Sequence, residues 1–517
     1  MNNESQAIQA IVVVGGGTAG WITAGRVAAQ HKNNPRISVT LVESPSVAPI
    51  GVGEGTWPTM RNTLIKLGIS ETDFIRECDA SFKQGAKFAK WMTGADNDFY
   101  YHPLMLPQGF GKTNLVPFWQ QQQSSAKHSF SAAVCFQEAI CEQGLAPKTI
   151  QTAEFNSVAN YAYHLDAGKF TQMLQRHCTS KLGVNHILAD VEAIQPAENG
   201  DIQAIVTAQA GKIYGDLFVD CTGFASLLLG KHYQIPFTDC SDILFIDNAI
   251  AVQVPYDRED APIASHTIST AQDAGWIWDI GLQSRRGVGY VYSSRHTDEE
   301  QAMSRLADYI GPAFHSLANK KIGINSGHRD KFWHNNVVAV GLSAGFLEPL
   351  EASALVLVEL SAEMIAEQLP ACRGVMDVIA KRFNETFLYR WERIIDFLKL
   401  HYMLSKRHDN PFWRDNRLAE TIPESLQELI RLWRYHPPSD HDFTSNNEVF
   451  PAASYQYVLY GMGFESDLTY IQHSQQEQQA ALQLFETNQR AVAQVSSKLP
   501  SNRALLNKIN QFGLQAI

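Results

Sequence analysis

Residues 11–21 have the sequence I-V-V-V-G-G-G-T-A-G-W, and this stretch decides the fold. Ile11–Val14 is a continuous β-branched run, which predicts a strand buried on both faces. The next glycines have the G-x-G-x-x-G spacing, which allows a tight turn, close approach of a pyrophosphate and close packing of the next helix. Helical character over Thr18–Gln30 would direct backbone amides at that pyrophosphate.

A second strand, predicted over Ile37–Val42, ends at Glu43, twenty-three residues after Gly20. An acid at this place can bind a ribose hydroxyl. A glycine triplet by itself is common in structural turns. Strand, turn, helix, strand and terminal acid together predict a dinucleotide-binding unit of Rossmann type.

Two later segments extend this sheet. Residues 213–224 and 337–347 each contain an apolar strand that enters a turn of small residues, so strands near positions 11, 37, 216 and 337 would share one sheet. From about Leu355 the pattern becomes helical, with helices predicted over Ala354–Leu369, Val375–Leu404 and Gln475–Leu506. We therefore predict an α/β domain over 1–370 with inserted elements, and a mostly helical lobe over 371–517.

Composition excludes several functional classes. The chain has 517 residues and a formal net charge of −11, which argues against nucleic-acid or anionic-membrane partners. Its seven cysteines form no C-x-x-C pair, and its histidines lack metal-ligand spacing, so we expect reduced thiols and no metal. Without a cationic leader or a long apolar run, a cytoplasmic protein is expected. The polar segment Trp119–Ala133 predicts a surface loop.

Several further blocks carry a resemblance to a known family. They are G-V-G-E at 51–54, F-K at 82–83, D-C-T-G at 220–223, G-W-I-W-D-I at 275–280, G-Y-V-Y-S-S at 289–294, G-F-L-E-P-L-E at 345–351, H-Y-M-L-S-K-R at 401–407 and P-F-W at 411–413. With the glycine turn, these blocks resemble the flavin-dependent tryptophan halogenases over nearly the whole chain. The resemblance implies a FAD-binding fold similar to that of flavin monooxygenases. It also implies that a separate flavin reductase supplies reduced FAD. The reduced FAD reacts with oxygen, and chloride or bromide is then oxidised to hypohalous acid. This acid would reach a lysine beside an aromatic substrate.

The resemblance also implies which residues contact FAD. They are Gly15, Gly17, Thr18, Ala19, Gly20, Glu43, Val52, Gly55, Val191, Asp220, Gly223, Leu342 and Leu355.

Lys83 is the first predicted catalytic residue. The pattern around it allows Phe82 and Phe88 to share one face of a strand while Lys83 occupies the other. By pattern alone a solvated lysine, like Lys87 or Lys90, is the commoner interpretation. The match to the family lysine favours catalysis instead. A lysine withheld from water has a lowered pKa and can form a haloamine, or as ammonium donate a hydrogen bond to hypohalous acid.

Glu351 is the second predicted catalytic residue. Halogenation builds positive charge on an arene, and a carboxylate stabilises it and accepts the departing proton. The alternative is that Glu348 and Glu351 both cap the following helix. We assign a capping or structural role to Glu348, because Glu351 matches the family's catalytic glutamate.

Halide and substrate sites are implied less completely. Ser353 and Ala354 align with the family's Thr-Gly halide pair at a helix start, where amides favour anions. Trp276 and Trp278 would separate flavin from substrate, although alternating tryptophans also pack along ordinary strands.

His102 aligns with a histidine that stacks on indole, and Phe450 and Tyr455 are the other predicted substrate residues. The segment Pro437–Ser454 is short and has no run of tyrosines or tryptophan, so the clamp for free tryptophan is missing.

The sequence therefore predicts a halogenase for an electron-rich arene such as an indole other than free tryptophan. A flavin-dependent aromatic hydroxylase and a non-catalytic flavoprotein are the alternatives. The oligomeric state stays open, a homodimer included.

Overall fold

The computed structural model describes residues 6–47, 53–122, 128–445 and 448–516. In these ranges the strands are Ala10–Val14 (β1), Ser38–Glu43 (β2), Gly53–Gly55 (β3), Ser81–Lys83 (β4), Gly85–Ala89 (β5), Phe99–Pro103 (β6), Ala162–Asp166 (β7), Asn185–Leu188 (β8), Val191–Pro196 (β9), Ile202–Thr207 (β10), Gly211–Tyr214 (β11), Leu217–Asp220 (β12), Phe237–Asp239 (β13), Asn248–Pro255 (β14), Thr267–Gln272 (β15), Gly275–Gly281 (β16), Arg285–Tyr292 (β17), Asn319–Gly323 (β18), Gly327–Arg329 (β19), Trp333–His334 (β20), Val337–Ala339 (β21) and Gly345–Phe346 (β22).

The α-helices of the same ranges are Thr18–His31 (α1), Thr59–Leu67 (α2), Glu71–Glu77 (α3), Val116–Gln122 (α4), Phe130–Val134 (α5), Gln137–Glu142 (α6), Ala167–Lys181 (α7), Glu299–Ile310 (α8), Ser353–Glu367 (α9), Arg373–Met403 (α10), Pro411–Asp415 (α11), Glu424–Trp433 (α12), Ala452–Gly461 (α13), Gln475–Lys498 (α14) and Asn502–Phe512 (α15). None of the helices in the described ranges is long and apolar enough to cross a membrane.

The first sheet has the predicted composition. Its strand order in the described ranges is β20-β21-β12-β1-β2-β8, and β1 pairs in parallel with both β12 and β2. The register places Ile11 beside Leu217, and Phe218 beside Val337, so the strands near 11, 37, 216 and 337 do share one sheet. Val13 at its centre is fully buried. The predicted α/β fold with a Rossmann-type sheet is confirmed.

A second, larger sheet has the strand order β18-β14-β17-β16-β15-β5-β6 over the described residues, and a small sheet with the order β3-β7-β4 contacts it through β3. The prediction that Phe82 and Phe88 share one strand is wrong, because the chain changes sheets at Gln84. β4 pairs with β7, whereas β5 pairs with β15 and β6. A Cβ at Gly85 would lie 2.8 Å from the carbonyl oxygen of His102, so only glycine allows this close crossing.

The C-terminal region is mostly helical, as predicted, but one predicted helix there was wrong. The single helix predicted over Gln475–Leu506 is two helices, since Pro500 disfavours helical geometry in the preceding residue and Ser501 caps α15 through the amide of Ala504.

The loop predicted over Trp119–Ala133 begins inside α4 and ends inside α5, and Trp119 packs edge-on against Phe130. Residues 123–127 of that loop lie outside the described ranges.

Candidate active site

One cavity of about 650 Å³ joins the glycine turn after β1 to the beginning of α9. Its walls include Gly17 at one end and both Lys83 and Glu351 at the other. Trp276 and Trp278, which alternate along β16, also line it. The predicted cofactor and catalytic residues therefore face a common space, although they come from distant parts of the chain.

The glycine turn fits a nucleotide by its shape. A Cβ at Gly15 would lie 2.1 Å from the carbonyl oxygen of Cys221, and one at Gly20 would lie 1.9 Å from the carbonyl oxygen of Gly15. These two glycines let the strand, turn and helix pack tightly. The Cβ position of Gly17 meets nothing within 4 Å, so it faces the cavity. Glu43, at the end of β2, lines the same cavity, where a ribose hydroxyl would be recognised.

Most of the predicted FAD contacts line this cavity: Gly15, Gly17, Thr18, Ala19, Glu43, Gly55, Val191, Gly223, Leu342 and Leu355. Gly20 and Asp220 support the site from behind. Asp220 is fully buried and accepts hydrogen bonds from the amides of Leu228 and Leu229. Val52 lies outside the described residues. The donor set and the glycine cradle fit FAD, which supplies the redox chemistry when it is bound.

Lys83 ends β4 and is only 3% exposed. Its Nζ donates a hydrogen bond to the carbonyl oxygen of Thr56 at 3.1 Å. Burial lowers the pKa of Lys83 to about 8, against the opposing effect of the Glu351 carboxylate. Gly55 lies beside this amine, since a Cβ there would be in ordinary van der Waals contact, at 3.5 Å, with Lys83 Nζ. Lys83 is thus a buried amine beside the start of α9, as its predicted role requires.

Glu351 precedes α9 in an uncommon backbone conformation. Its φ is +63° and that of Ala352 is +56°, in the left-handed region that non-glycine residues rarely occupy. Trp57 Nε1 donates to the carbonyl oxygen of Glu351 at 2.7 Å, which fixes the turn. The carboxylate Oε1 lies 2.7 Å from His102 Nδ1 and 3.4 Å from His401 Nε2. Such strain is typical of functional sites.

The charge of Glu351 is set by these neighbours. Burial by itself would raise the pKa of Glu351, but the charge and hydrogen bond of His102, together with the His401 ring whose Nε2 lies 3.4 Å from Oε1, outweigh burial and hold the pKa well below its usual range. The carboxylate is therefore ionised at neutral pH. An ionised carboxylate and a lysine with a pKa of about 8 line the same cavity end, so one group can accept a proton and the other can donate one.

Neither glutamate caps α9, so the capping alternative is wrong. The helix has Ala352 at its N-cap and no side-chain cap. Glu348 instead accepts a hydrogen bond at 2.6 Å from the hydroxyl of Tyr402, which in turn lies 3.0 Å from Trp276 Nε1. Burial raises the pKa of Glu348 to about 7. Glu348 therefore anchors Trp276 through Tyr402, which is a structural role.

The two predicted halide residues open α9. Ser353 and Ala354 are its first two residues, and both line the cavity. The amides in the first turn of a helix have no partner within the helix and favour an anion. Halide binding here stays a prediction.

The three predicted substrate residues lie beside the cavity and, in the part of the chain that is described, do not line it. His102 bonds to Glu351 through Nδ1 and approaches Ser454 Oγ at 2.9 Å through Nε2. Phe450 stacks on Phe397 at 3.9 Å between ring centroids, and Tyr455 is fully buried. Their contact with a substrate stays a prediction.

Sequence analysis missed the residues behind Glu351, namely Trp57, Tyr100, His401 and Ser454. His401 belongs to the block H-Y-M-L-S-K-R, which the resemblance included without giving it a role. No local pattern marks the other three, because they meet Glu351 only through the tertiary fold.

Comparison with known proteins defines the class. The family described as tryptophan halogenase matches residues 10–476. A crystal structure of a tryptophan halogenase from Shewanella frigidimarina has a TM-score of 0.96 and 50% identity, covering 99% of each chain. The 7-chloro-L-tryptophan 6-halogenase KtzR of Kutzneria sp. is 32% identical over 96% of this chain and 99% of its own length. BrvH, a flavin-dependent halogenase from Brevundimonas sp., has a TM-score of 0.85 and 31% identity, covering 97% of this chain and 99% of its own.

The fold and cavity are therefore those of a flavin-dependent halogenase, and this chain belongs to the tryptophan halogenase family. It is an enzyme that uses FAD and halide, with a separate flavin reductase and an aromatic substrate. The prediction of a halogenase is confirmed over a hydroxylase or a non-catalytic flavoprotein.

Proposed function

We propose that this halogenase transfers halogen to a neutral, electron-rich arene of the indole type, with Lys83 and Glu351 as its catalytic residues. The observation that carries the proposal is the shared cavity end, where a buried lysine and an ionised glutamate face the same space. Reduced FAD, when bound in this cavity, would activate oxygen, and oxygen is the oxidant that turns halide into hypohalous acid.

Lys83 and Glu351 divide the work of substitution. As ammonium, Lys83 donates a hydrogen bond and then a proton to the oxygen of hypohalous acid. The ring carbon bonds to halogen, the oxygen–halogen bond breaks, and the oxygen leaves as water. The Glu351 carboxylate stabilises the positive ring and accepts the ring proton. Proton return from Glu351 to Lys83 restores both groups.

The halide and tryptophan residues complete this assignment. Ser353 and Ala354 bind halide through the first amides of α9. Trp276 and Trp278 keep the arene from the flavin end, and the anchoring of Trp276 by Tyr402 supports that role. His102, Phe450 and Tyr455 remain proposed members of the substrate surroundings, and Val52 remains a proposed FAD contact.

The charge of the cavity supports a neutral substrate. Among its described lining residues Lys83 is the one cationic side chain, and it shares the arene end with the ionised Glu351. A free amino acid needs a partner for its carboxylate as well as for its ammonium group. If Lys83 paired with that carboxylate, it would no longer be free for hypohalous acid. Indole itself, or an indole carried on a larger molecule, avoids this conflict.

We propose the remaining features from the sequence alone. The division at residue 370, the cytoplasmic location and a homodimer are part of this proposal. The flavin reductase is a separate protein, and its one requirement is that it releases reduced FAD.

A screen of arenes tests the function. The protein receives reduced FAD from a generic flavin reductase, with chloride or bromide, and halogenated products are measured by mass spectrometry. We expect halide-dependent product from simple indoles. Hydroxylated product without halide, or no product from any indole while FAD is bound and oxidised, would contradict the proposal.

A further inference from the structure

The two oxygens of Glu351 have different surroundings. Oε1 lies 2.7 Å from His102 Nδ1 and 3.4 Å from His401 Nε2. Within the described part of the chain, no side chain or amide bonds to Oε2, although the residue is only 7% exposed and lines the cavity. One oxygen is therefore tied to the protein, and the other is left for whatever occupies the cavity.

Each histidine is itself held at its second nitrogen. His102 Nε2 lies 2.9 Å from Ser454 Oγ on α13, and His401 Nδ1 lies 2.6 Å from the hydroxyl of Tyr100 on β6. These four residues are all buried. They form a chain of close polar contacts, Ser454–His102–Glu351–His401–Tyr100, which joins β6, α10 and α13 to the start of α9. Its longest contact, 3.4 Å between His401 Nε2 and Glu351 Oε1, is not a hydrogen bond.

Ring packing prevents the two histidines from turning. His401 packs 4.7 Å from the Phe88 ring and edge-on at 5.2 Å to Phe397. His102 lies 5.6 Å from the other side of Phe397 and 5.9 Å from Trp57. Locked supporting side chains of this kind keep a functional group within a fraction of an ångström of one position.

We propose that His102 and His401 are positioning residues that clamp Oε1, so that Oε2 alone faces the reacting arene. The histidine clamp consists of His102, His401, Tyr100 and Ser454. This inference rests on the proposed role of Glu351 as the catalytic carboxylate. It gives His102 a function through Glu351, which differs from stacking on the substrate, and it gives His401 a function for the first time.

The clamp also keeps Glu351 ionised. The titratable groups that face it are Lys83 of β4, Tyr100 and His102 of β6, and His401 of α10. Burial opposes ionisation of Glu351, and the two histidines overcome it. Burial also lowers the pKa of His401, so at neutral pH His401 acts as a neutral ring whose Nε2 faces Oε1. Removing a histidine must therefore raise the pKa of Glu351. The protonated carboxyl can no longer accept the ring proton. As pH falls, product formation would therefore be lost at a higher pH in the variant than in the wild type.

The test compares His401→Phe with His401→Gln, which keeps an amide donor near Oε1. Tyr100→Phe removes the second tether, and Tyr460→Phe is the matched control. The Tyr460 hydroxyl is also buried and bonded, to Ser466 Oγ at 3.0 Å, but it lies outside the clamp.

The first readout needs neither cofactor nor turnover. Infrared difference spectra between about pH 8 and about pH 5 monitor the protonated carboxyl band of Glu351, and Glu351→Gln assigns the band. An unperturbed glutamate has a pKa of about 4.3. We expect no Glu351 band in the wild type or in Tyr460→Phe. A band should grow with falling pH in His401→Phe and be weaker in His401→Gln.

The second readout is halogenated indole formed per reduced flavin consumed. We expect this yield to fall about tenfold in His401→Phe and about threefold in Tyr100→Phe, because misplacement of a catalytic group by about 1 Å can cost up to about 100-fold. FAD affinity should be unchanged in both variants, and His401→Gln should recover part of the yield. If His401→Phe does not fold, Tyr100→Phe decides by the same two readouts.

Unchanged spectra and unchanged yield in the folded variants would overturn the clamp. In His102→Phe, a rise in the KM for the arene without any Glu351 band, as in the wild type, would show that His102 stacks on the substrate. That result would overturn the clamp role of His102. If the wild type halogenates no arene, the proposed function fails, while the infrared band still decides whether the histidines hold Glu351 ionised.

Discussion

The two ends of the cavity are built in different ways. The nucleotide end is formed by backbone, in a turn where Gly15, Gly17 and Gly20 follow one another within a single βα unit. The arene end is formed by side chains, with Lys83 from β4, Glu351 from the turn before α9, and their supports from β6, α10 and α13. A backbone site depends on local spacing, whereas a side-chain site depends on tertiary packing.

Gly17→Val should have the largest effect at the nucleotide end. Its Cβ position is open, so the fold should persist, but a branched side chain would occupy the space that the pyrophosphate needs. An overlap costing about 3 kcal/mol corresponds to at least about a 100-fold loss of FAD affinity, measured by fluorescence titration.

Gly323→Val is the matched control, since its Cβ position is equally open and it does not line the cavity. FAD affinity in Gly17→Val equal to that of this control would show that the turn does not bind the cofactor. The difference between the two ends would then disappear.

The pH dependence should separate the two forms of Lys83. With a pKa of about 8, Lys83 is ammonium at neutral pH and becomes a free amine as pH rises. If the ammonium donates to hypohalous acid, halogenated product per flavin consumed should fall above about pH 8, by about tenfold for each further pH unit. Yield is measured across this range at constant reduced-flavin supply.

Lys83→Arg provides the control, because arginine stays charged throughout. It should have a lower yield without a fall near pH 8. A wild-type yield that rises above pH 8 would instead favour the free amine, and therefore a haloamine, as the active form.

Substrate preference should give the smallest effect. The described cavity offers no cation besides Lys83. The carboxylate of tryptophan would therefore be buried without a partner, or it would compete with hypohalous acid for Lys83. We expect kcat/KM for indole to exceed that for tryptophan by about tenfold, which corresponds to about 1.4 kcal/mol.

Indole and tryptophan are compared in one vessel with bromide. A markedly higher kcat/KM for tryptophan would show that the segment Pro437–Ser454 binds an amino acid without an aromatic lid. The cavity would then have a third, polar region beside Lys83 that binds the amino-acid part of tryptophan.

The difference between the ends also explains what sequence could predict. The strands β1, β2, β12 and β21 were predicted because apolar runs before glycine turns are local signals, and the cavity-lining glycines came with them. Glu351 and Lys83 were identified through resemblance, not through pattern. By pattern alone Lys83 resembled a solvated lysine, yet it is buried because the chain changes sheets at Gln84.

The supports of Glu351 could not be predicted for the same reason. His102 and His401 are separated by almost three hundred positions, and they meet only when β6 packs against α10. The division of the chain at residue 370 likewise depends on contacts that local patterns do not contain, and it stays a prediction.

One measurement tests the central claim, that FAD chemistry and arene chemistry occupy separate ends. Lys83→Ala is supplied with reduced FAD, halide, oxygen and indole, and three quantities are measured: FAD affinity, flavin oxidation and halogenated indole, with free hypohalite scavenged by added thiol. We predict unchanged affinity and oxidation, and a fall of about 100-fold or more in halogenated indole, because a reactive group and its positioning are both lost. An unchanged yield of halogenated indole would contradict the account.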